Sequence, residues 1–278
     1  MCFNIAQSKK LKDLAKRYGI KTNVVEMAEE ILKEKRQQED EKRAKSIAIE
    51  QYFLPAYLKP ECPIITNDGQ IRFMRWGLIP ANAKLSDLQK IDKGNWFINA
   101  RSENIFETYP YKMSITNHRC IIPVTGFFEP HYDTPKGKSW MYYIHLQNQE
   151  IFSIGGVFSH WNNPENGQTV ESFSMLTTQA NPLMYQTHNG GKHPHRMPLI
   201  LNPENEMKWI DQTINRSEIE KLIKVFPDND MVTYPLRNDY QKYDFSDKLL
   251  IENTNNRTQK NPVLSNNSDI LQFTLNYS

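Results

Sequence analysis

A series of short β-type segments, separated by Pro, Gly and Asn, constrains the fold of this chain more than any other feature. Between residues 55 and 239 these segments cover residues 71–78, 120–128, 140–146, 151–157, 173–178, 197–201 and 231–235. They follow one another too closely for regular β-α-β units. The sequence therefore predicts an α+β fold with a mainly antiparallel sheet or open barrel at its core and helices at its periphery.

Two helices in this region have recognisable beginnings. Residues 203–211 begin at a Pro, which the first turn of a helix favours because its missing N–H has no partner there. Ser217 and Glu220 form a capping-box pattern ahead of an apolar stretch, which predicts the start of a second helix.

Residues 8–50 differ from the rest of the chain because they are highly charged and helical in character. The first part has one apolar stripe at helical spacing, formed by Val24, Met27, Ala28, Ile31 and Leu32. Residues 33–46 are almost wholly polar, with acidic and basic side chains interleaved. We interpret the segment as an exposed helical insertion, with contact to a nucleic acid as the alternative.

Residues 1–240 are predicted to form a single domain that carries this insertion. Residues 241–278 are predicted to be a polar tail, which is rich in Asn, Ser and Thr after Lys248. Four apolar residues near its end are candidates to dock on the body: Ile270, Leu271, Phe273 and Leu275.

Charge and cysteine content indicate the cellular compartment of the protein. Lys and Arg total 34 against 32 Asp and Glu, for a net charge of +2, so any basic surface is local. The three cysteines are too few and too scattered for a disulfide framework, which suggests a reducing compartment. The N-terminus lacks a signal-type apolar run, and no stretch is long and apolar enough to span a bilayer. We therefore expect a cytoplasmic protein without membrane partners.

Cys2 has a chemical option that cysteines elsewhere in a chain lack. Removal of Met1, expected when the next side chain is small, leaves an α-amine and a thiol on adjacent carbons. Reference pKa values of about 7.7 to 8.0 and about 8.5 place both groups near neutrality. An aldehyde reacts with this 1,2-aminothiol first to an imine and then to a thiazolidine ring. Taken alone, Cys2 is more simply interpreted as part of a fraying terminus. The rest of the sequence is therefore needed to decide whether Cys2 is a nucleophile.

Five short stretches, considered together, carry the functional argument. They are Met-Cys-Phe-Asn at residues 1–4, Arg-Trp-Gly-Leu-Ile-Pro at 75–80, Asn-Ala-Arg-Ser-Glu at 99–103, Arg-Cys-Ile-Ile-Pro at 119–123 with Gly-Phe-Phe-Glu at 126–129, and a fifth between 177 and 198. The fifth contains Thr-Thr at 177–178, Ala-Asn at 180–181, His-Asn at 188–189 and Arg-Met-Pro at 196–198. In this order the stretches resemble those of the SOS response-associated peptidase family, also called abasic site processing proteins.

The resemblance implies an activity on damaged DNA. Members of this family bind abasic sites in single-stranded DNA, and their N-terminal cysteine forms a thiazolidine DNA–protein crosslink with the open-chain sugar aldehyde. It also implies release of Met1, lyase-type activity, shielding of the lesion during the DNA damage response and association with the nucleoid when DNA is damaged. We expect a monomer that needs no cofactor. Two alternatives stay open: a cysteine-type peptidase acting in trans, and a non-covalent module that binds single-stranded nucleic acid.

Residue by residue, the resemblance places a catalytic set around Cys2. Asn99 is expected to hold the α-amine of Cys2, against the simpler interpretation of a turn asparagine. Glu129 is expected to be a partly buried carboxylate whose raised pKa lets it move protons, against a structural ion pair. His188 is expected to protonate the ring oxygen of the closed sugar with a pKa near neutrality, and His195 is its alternate.

The same matches give candidate DNA-binding residues. They are Arg75, Trp76, Arg101, Thr177, Thr178 and Arg196. Arg75 and Arg101 suit phosphates, and the two threonine hydroxyls suit the phosphate beside the lesion. Trp76 is a candidate to stack on a base or to wedge at the lesion, with core packing as an equal alternative.

Three departures from the family pattern bear on DNA binding more than on chemistry. The usual Gly-Arg after the cysteine is Phe3-Asn4, and the Trp that often follows the motif glutamate is Pro130. The charged insertion has no counterpart in short members.

The histidine position two residues before the Arg of Arg-Met-Pro is Pro194, with histidines on both sides of it. We expect no metal at these histidines, because no acidic or cysteine ligand accompanies them at a recognisable spacing.

Overall fold

The computed structural model describes residues 2–38, 50–134 and 137–253, and within these ranges the chain forms two β-sheets with helices around them. The helices are α1 (Leu11–Tyr18), α2 (Thr22–Gln38), α3 (Leu85–Lys93), α4 (Pro182–Thr187), α5 (Pro203–Ile210) and α6 (Arg216–Leu222). This architecture confirms the predicted α+β class.

The smaller sheet has five strands in the order β13-β8-β7-β1-β2, and its neighbours are antiparallel throughout. Its strands are β1 (Asn4–Gln7), β2 (Gln51–Pro55), β7 (Gly126–Tyr132), β8 (Ser139–Leu146) and β13 (Met231–Pro235). Asn4 is opposite Phe128, so the residues before β1 lie beside the part of β7 that carries Glu129. The register thereby brings the N-terminus to a carboxylate that is distant in sequence.

The larger sheet contains a ring of five strands. They are β3 (Glu61–Ile65), β4 (Ile71–Trp76), β6 (Arg119–Val124), β9 (Phe152–Asn162) and β10 (Thr169–Gln179). The ring runs β10-β4-β3-β6-β9 and closes through antiparallel pairing of β9 with β10, so the barrel that was expected to be open is closed. Gly156 on β9 permits close packing inside it, because a Cβ there would lie 2.9 Å from the sulfur of Cys120.

Three short strands extend this sheet: β5 (Asn99–Arg101), β11 (Arg196–Pro198) and β12 (Ile200–Leu201). β5 pairs in parallel with β10, and β11 pairs in antiparallel fashion with the last residues of the same strand. Motifs that lie far apart in the sequence therefore meet along β10.

The two helices that have sequence signatures are both present. α5 begins at Pro203 as predicted. α6 begins two residues earlier than expected, because Asn215 accepts a hydrogen bond from the Glu218 backbone N–H while the Glu218 carboxylate accepts one from Asn215. The sequence contains two overlapping cap patterns, and the asparagine cap is the one used.

The charged insertion folds back on the body only in part. Val24, Ala28 and Leu32 are buried, whereas Met27 and Ile31 of the same predicted stripe are exposed. Residues 39–49 of the insertion lie outside the described residues.

The predicted tail begins later than residue 241. The backbone N–H groups of Tyr52 and Phe53 donate to the Phe245 carbonyl, and Leu250 is buried. Residues 254–278, including the four apolar docking candidates, lie outside the described residues. In the described part of the chain, no helix has the length and apolar character needed to cross a membrane.

Candidate active site

A cavity of about 610 Å³ opens where the start of β1 meets the residues before β5, the middle of β7 and the loop after α4. Three predicted catalytic side chains line it: Asn99, Glu129 and His188. Cys2 lies beside it, since the next residue, Phe3, forms part of the wall. The remaining wall residues are Asn4, residues 94–98, Pro130, Met141 and residues 190–193. Five separate stretches of the sequence thus meet at one site.

Cys2 is buried, and its Sγ lies 3.5 Å from the carbonyl oxygen of Asn4. Burial, followed by the nearby Glu129 carboxylate, raises the pKa of the thiol well above its usual range. The thiol is therefore protonated at neutral pH and needs a base at the moment when it reacts. Met1 lies outside the described residues, and until it is removed it occupies the nitrogen of Cys2 through a peptide bond.

Asn99 begins β5 and contacts Cys2 directly. Its Nδ2 donates a hydrogen bond of 2.6 Å to the Cys2 carbonyl oxygen, and the Tyr111 hydroxyl donates to the Asn99 carbonyl at 2.9 Å. The contact that is seen is therefore with the carbonyl of Cys2, whereas the sequence predicted one with its α-amine. Oδ1 of the same amide is buried and has no hydrogen-bond partner among the described residues. It is available to accept from an N–H group of the N-terminal residue.

Glu129 and His188 form a buried pair, with their side chains 1% and 2% exposed. Nδ1 of His188 lies 3.5 Å from Oε2 of Glu129 and 2.9 Å from the Arg196 carbonyl oxygen. Because a carbonyl only accepts, Nδ1 carries the hydrogen, and Nε2 is the ring nitrogen with a basic lone pair. Neither carboxylate oxygen has a hydrogen bond of good geometry within the described part of the chain.

Burial shifts the two pKa values in opposite directions. It raises the pKa of Glu129 to about 8 and lowers the pKa of His188 to about 4. The raised carboxylate pKa agrees with the sequence-based expectation. The expected near-neutral pKa of the histidine is wrong, because the ring is enclosed between α4 and β11 rather than solvated. At pH 7 the carboxyl group therefore holds a proton and the imidazole does not.

His195 faces away from this pair. Its Nδ1 lies 3.0 Å from the Tyr185 carbonyl oxygen, and its ring stacks on the Tyr185 ring at 3.8 Å. Its backbone N–H donates to the His188 carbonyl at 2.8 Å. Of the two candidate histidines, His188 is the one next to Glu129, and His195 supports it through the backbone.

The loop at residues 189–194 forms one wall of the cavity. Asn189 anchors it, because its amide both donates to the Tyr132 carbonyl at 2.9 Å and accepts from the Tyr132 N–H at 2.8 Å. Gly190 is required for this contact, since a Cβ there would lie 2.2 Å from the Tyr132 ring. The anchored loop brings Lys192 and His193 to the cavity.

Arg101 is the predicted DNA ligand that the structure leaves accessible. Its side chain is exposed, and its Nη2 lies 2.9 Å from Nδ1 of His193. A guanidinium group only donates, so His193 accepts in this contact and is unprotonated at Nδ1. The exposed Lys192 is a cation in the cavity wall, and Arg101 places a second cation beside this wall through its contact with His193.

The other predicted phosphate ligands are engaged inside the protein. Arg75 pairs with Asp92 and donates to the Gly77 carbonyl at 2.6 Å. Arg196 is buried and pairs with Glu103. The hydroxyls of both candidate threonines are also enclosed, since Thr177 and Thr178 are buried. In the described residues these four side chains are buried or paired with protein groups, so they are less accessible to DNA than Arg101.

Trp76 is a core residue, which agrees with core packing, one of the two interpretations that the sequence left open. Its side chain is 0% exposed, its ring stacks on Phe173, and its Nε1 donates to the Ile98 carbonyl at 3.1 Å. Trp96 is an exposed aromatic residue at the cavity, and it was not among the residues predicted from the sequence. The turn-forming pair Gly94-Asn95 directly before it is the signal that favours an exposed position. In the described ranges, no cluster of His, Cys, Asp or Glu is placed to hold a metal ion.

The chain matches a protein-family model and is similar to several known proteins. The family model described as SOS response associated peptidase (SRAP) matches residues 1–243. The abasic site processing protein YoqW of Bacillus subtilis (strain 168) is 33% identical over 187 residues, which cover 65% of this chain and 78% of that protein. The abasic site processing protein HMCES of Pongo abelii is 27% identical over 183 residues, which cover 54% of this chain and 48% of that protein.

Two crystal structures resemble the fold. A protein from Bacteroides thetaiotaomicron has a TM-score of 0.78 and 33% sequence identity, covering 91% of this chain and 99% of that one. A protein from Bordetella bronchiseptica has a TM-score of 0.66 at 18% identity, covering 85% and 100% of the two chains, and shows the fold alone.

Proposed function

The chain belongs to the SOS response-associated peptidase family, and from this premise we propose that it captures abasic sites in single-stranded DNA as a covalent crosslink to Cys2. Relatives that carry the name abasic site processing protein support the lesion as substrate. One observation carries the chemistry: the N-terminal cysteine is enclosed with a protonated carboxyl group, a neutral imidazole and an amide oxygen that has no described partner. The adduct shields the lesion during the DNA damage response.

The closed sugar first opens to its aldehyde. His188 accepts the proton of the anomeric hydroxyl at Nε2, and Glu129 donates a proton to the ring oxygen as the C–O bond breaks. The roles follow from the shifted pKa values, and they make the histidine a base rather than the acid that its sequence context suggested. The imidazolium then releases its Nε2 proton to water, and the carboxylate takes up a proton from water, which restores both groups.

The second stage joins protein and DNA. The free amine of Cys2 adds to the aldehyde carbon, and a proton moves from the added nitrogen to the oxygen to give a hydroxyl. Glu129 protonates this hydroxyl, which leaves as water and gives a protonated imine. The carboxylate then takes the proton of the thiol while sulfur bonds to the imine carbon, and the thiazolidine ring closes. One water is released in total. Glu129 thereby supplies the base that a thiol of raised pKa needs.

Asn99 orients the amine during both additions. Its Nδ2 holds the Cys2 carbonyl, and its Oδ1 accepts from the α-amine once Met1 is gone, which directs the nitrogen lone pair at the sugar. Arg101 and Lys192 bind the phosphates that flank the lesion.

Intact mass spectrometry with single-stranded abasic DNA tests this proposal. The expected product is a heat-stable adduct whose mass is that of both partners less one water. Cys2→Ala, or an N-terminal extension that cannot be removed, should abolish it. An adduct that persists in Cys2→Ala protein refutes the mechanism.

The same samples distinguish the alternatives. Turnover of unrelated peptides by protein without Met1 indicates a peptidase acting in trans. Tight binding without any mass shift indicates a non-covalent module. Strand cleavage after the adduct forms reports the lyase-type activity, and loss of Met1 from purified precursor reports the autopeptidase.

A further inference from the structure

Trp96 stands at the cavity with its side chain 50% exposed, an unusual position for a large apolar ring. The residues on both sides of it, Asn95 and Phe97, have φ values of 50° and 57°. The left-handed region is uncommon for asparagine and rarer for a bulky phenylalanine. The chain therefore adopts two unfavourable backbone conformations in the turn that presents this one side chain.

Buried groups hold the turn in this conformation. The Phe97 carbonyl accepts from the Leu78 N–H at 3.0 Å and from the Ser174 hydroxyl. The neighbouring Ile98 carbonyl accepts from Nε1 of the buried Trp76. These contacts come from distant parts of the chain, so the surrounding fold holds the backbone of the turn in this conformation.

Gly94 provides the surface on which the indole rests. A Cβ at this position would lie 2.3 Å from Nε1 of Trp96 and 2.5 Å from its Cδ1. A side chain at residue 94 would therefore displace the ring. The indole is supported by the backbone on one side and accessible on another.

Phe3 is a second aromatic ring in the wall of the same cavity. It is 39% exposed and follows the nucleophile directly. Its carbonyl accepts from the Ala56 N–H at 2.8 Å, which fixes its backbone. Two accessible rings thus stand at a cavity that has the cation Lys192 in its wall and the cation Arg101 beside it.

We propose that Phe3 and Trp96 bind the nucleobase next to the abasic site by stacking, and that a purine is preferred there. This inference rests on the proposed function and adds a specificity to the same site. Aromatic side chains bind the π-face of any base, and the larger ring system of a purine covers more of two platforms. The cations near the cavity bind the phosphate backbone of the DNA, and the two aromatic rings bind the base.

A comparison of two single variants with the original protein tests the proposal. Crosslinking rates at limiting DNA are measured for Phe3→Ala, Trp96→Ala and the original protein, on abasic oligonucleotides that carry a purine, a pyrimidine or a base-free spacer beside the lesion. With the purine, Trp96→Ala should lose between about 5-fold and about 100-fold in apparent affinity, the range for stacking of one base. With the spacer, the same substitution should have little effect. An equal loss on both substrates overturns the proposal, because it shows that Trp96 acts without the base.

Matched variants separate stacking from folding. Gly94→Ala should reproduce the Trp96→Ala defect by displacing the indole, and Trp96→Phe should restore part of the purine preference. Tyr57→Ala removes an exposed ring that does not line the cavity and serves as the control.

Binding by Cys2→Ala protein, which has no thiol, separates the two proposals. If it prefers the purine oligonucleotide while the original protein forms no adduct, the covalent mechanism fails and the stacking site stands. If adducts form at the same rate with and without the neighbouring base, the stacking site fails and the covalent mechanism stands.

Discussion

Nδ1 of His188 lies 3.5 Å from Oε2 of Glu129, and both side chains are almost wholly buried. The distance alone would allow an ion pair. Burial opposes charge on both partners, however, and the shifted pKa values describe a neutral imidazole beside a neutral carboxylic acid at pH 7. Two groups whose environments separate their pKa values in this way have distinct acid and base roles.

The rate of crosslinking should depend on pH through these two groups. Above about pH 8 Glu129 loses the proton that it donates, and below about pH 4 His188 gains one and can no longer accept. Single-turnover rates should therefore fall outside this window. Glu129→Gln should be slower by on the order of 10²-fold to 10⁴-fold, the usual contribution of a general acid or base, and should lose the decline above pH 8. An unchanged alkaline limb in Glu129→Gln would contradict this assignment.

The buried carboxyl group should also make stability depend on pH. The folded protein keeps the proton of Glu129 up to about pH 8, whereas the unfolded chain releases it near pH 4.3. The stabilisation is complete below the unfolded pKa and is lost as pH rises through the folded one, with a slope on the order of 1 kcal/mol per pH unit. His188 contributes with the opposite sign between about pH 4 and about pH 6.5, because its folded pKa is lowered, so the slope from Glu129 is expected to show above that range. Urea unfolding between about pH 6.5 and about pH 8 should show this slope in the original protein and a flatter profile in Glu129→Gln. Parallel profiles would show that the group is not protonated in the folded state.

The two histidines should differ in their effect on the chemical step. His188→Ala should slow crosslinking by roughly 10²-fold or more, because it removes the base next to Glu129. His195→Ala should have a smaller effect, since its side chain contacts Tyr185 and it supports His188 through its backbone. Rates on a DNA substrate at saturation decide between them, and an unaffected His188→Ala would refute the assignment.

Asn99 should act through the geometry of the terminus. Asn99→Ala removes the hydrogen bond to the Cys2 carbonyl and should slow adduct formation by about 10-fold or more, with a smaller change in DNA affinity. Tyr111→Phe is the matched comparison, because it removes only the hydroxyl that donates to the Asn99 carbonyl. Equal rates for Asn99→Ala and the original protein would leave the amide with a structural role alone.

The salt dependence of DNA binding should identify the phosphate ligands. Arg101→Ala and Lys192→Ala should each reduce the slope of log K against log salt by about 0.7, the value for one phosphate contact on a single strand. Arg75→Ala should leave the slope unchanged and lower the thermal stability instead, because its side chain pairs with Asp92. Binding titrations in Cys2→Ala protein measure these slopes without interference from the adduct.

The two tryptophans show where prediction from sequence ends. The motif around residues 75–80 is recognisable in the chain, yet its tryptophan is buried by Phe173 on β10, a contact that only the folded barrel creates. The exposure of Trp96 depends on two left-handed residues that distant hydrogen bonds hold in place. The pair Gly94-Asn95 is typical of a turn, but it does not specify the backbone conformation of that turn.

The catalytic residues were easier to predict than their protonation. The matching motifs identified Asn99, Glu129 and His188, and the structure brings all three to one cavity. The pKa of His188 depends on how completely α4 and β11 enclose it, which is a property of tertiary packing. The sequence therefore predicted which groups meet but not how burial shifts their pKa values.

The position of β1 inside its sheet has a consequence for biosynthesis. Ile5 pairs with Leu54 on one side and with Phe127 on the other, so the first strand to leave the ribosome is enclosed only after β7 has been made. During that interval Cys2 is exposed to solvent, and afterwards it is buried. Translation thus gives the nascent chain a limited time in which Cys2 is exposed to other proteins before the sheet encloses it.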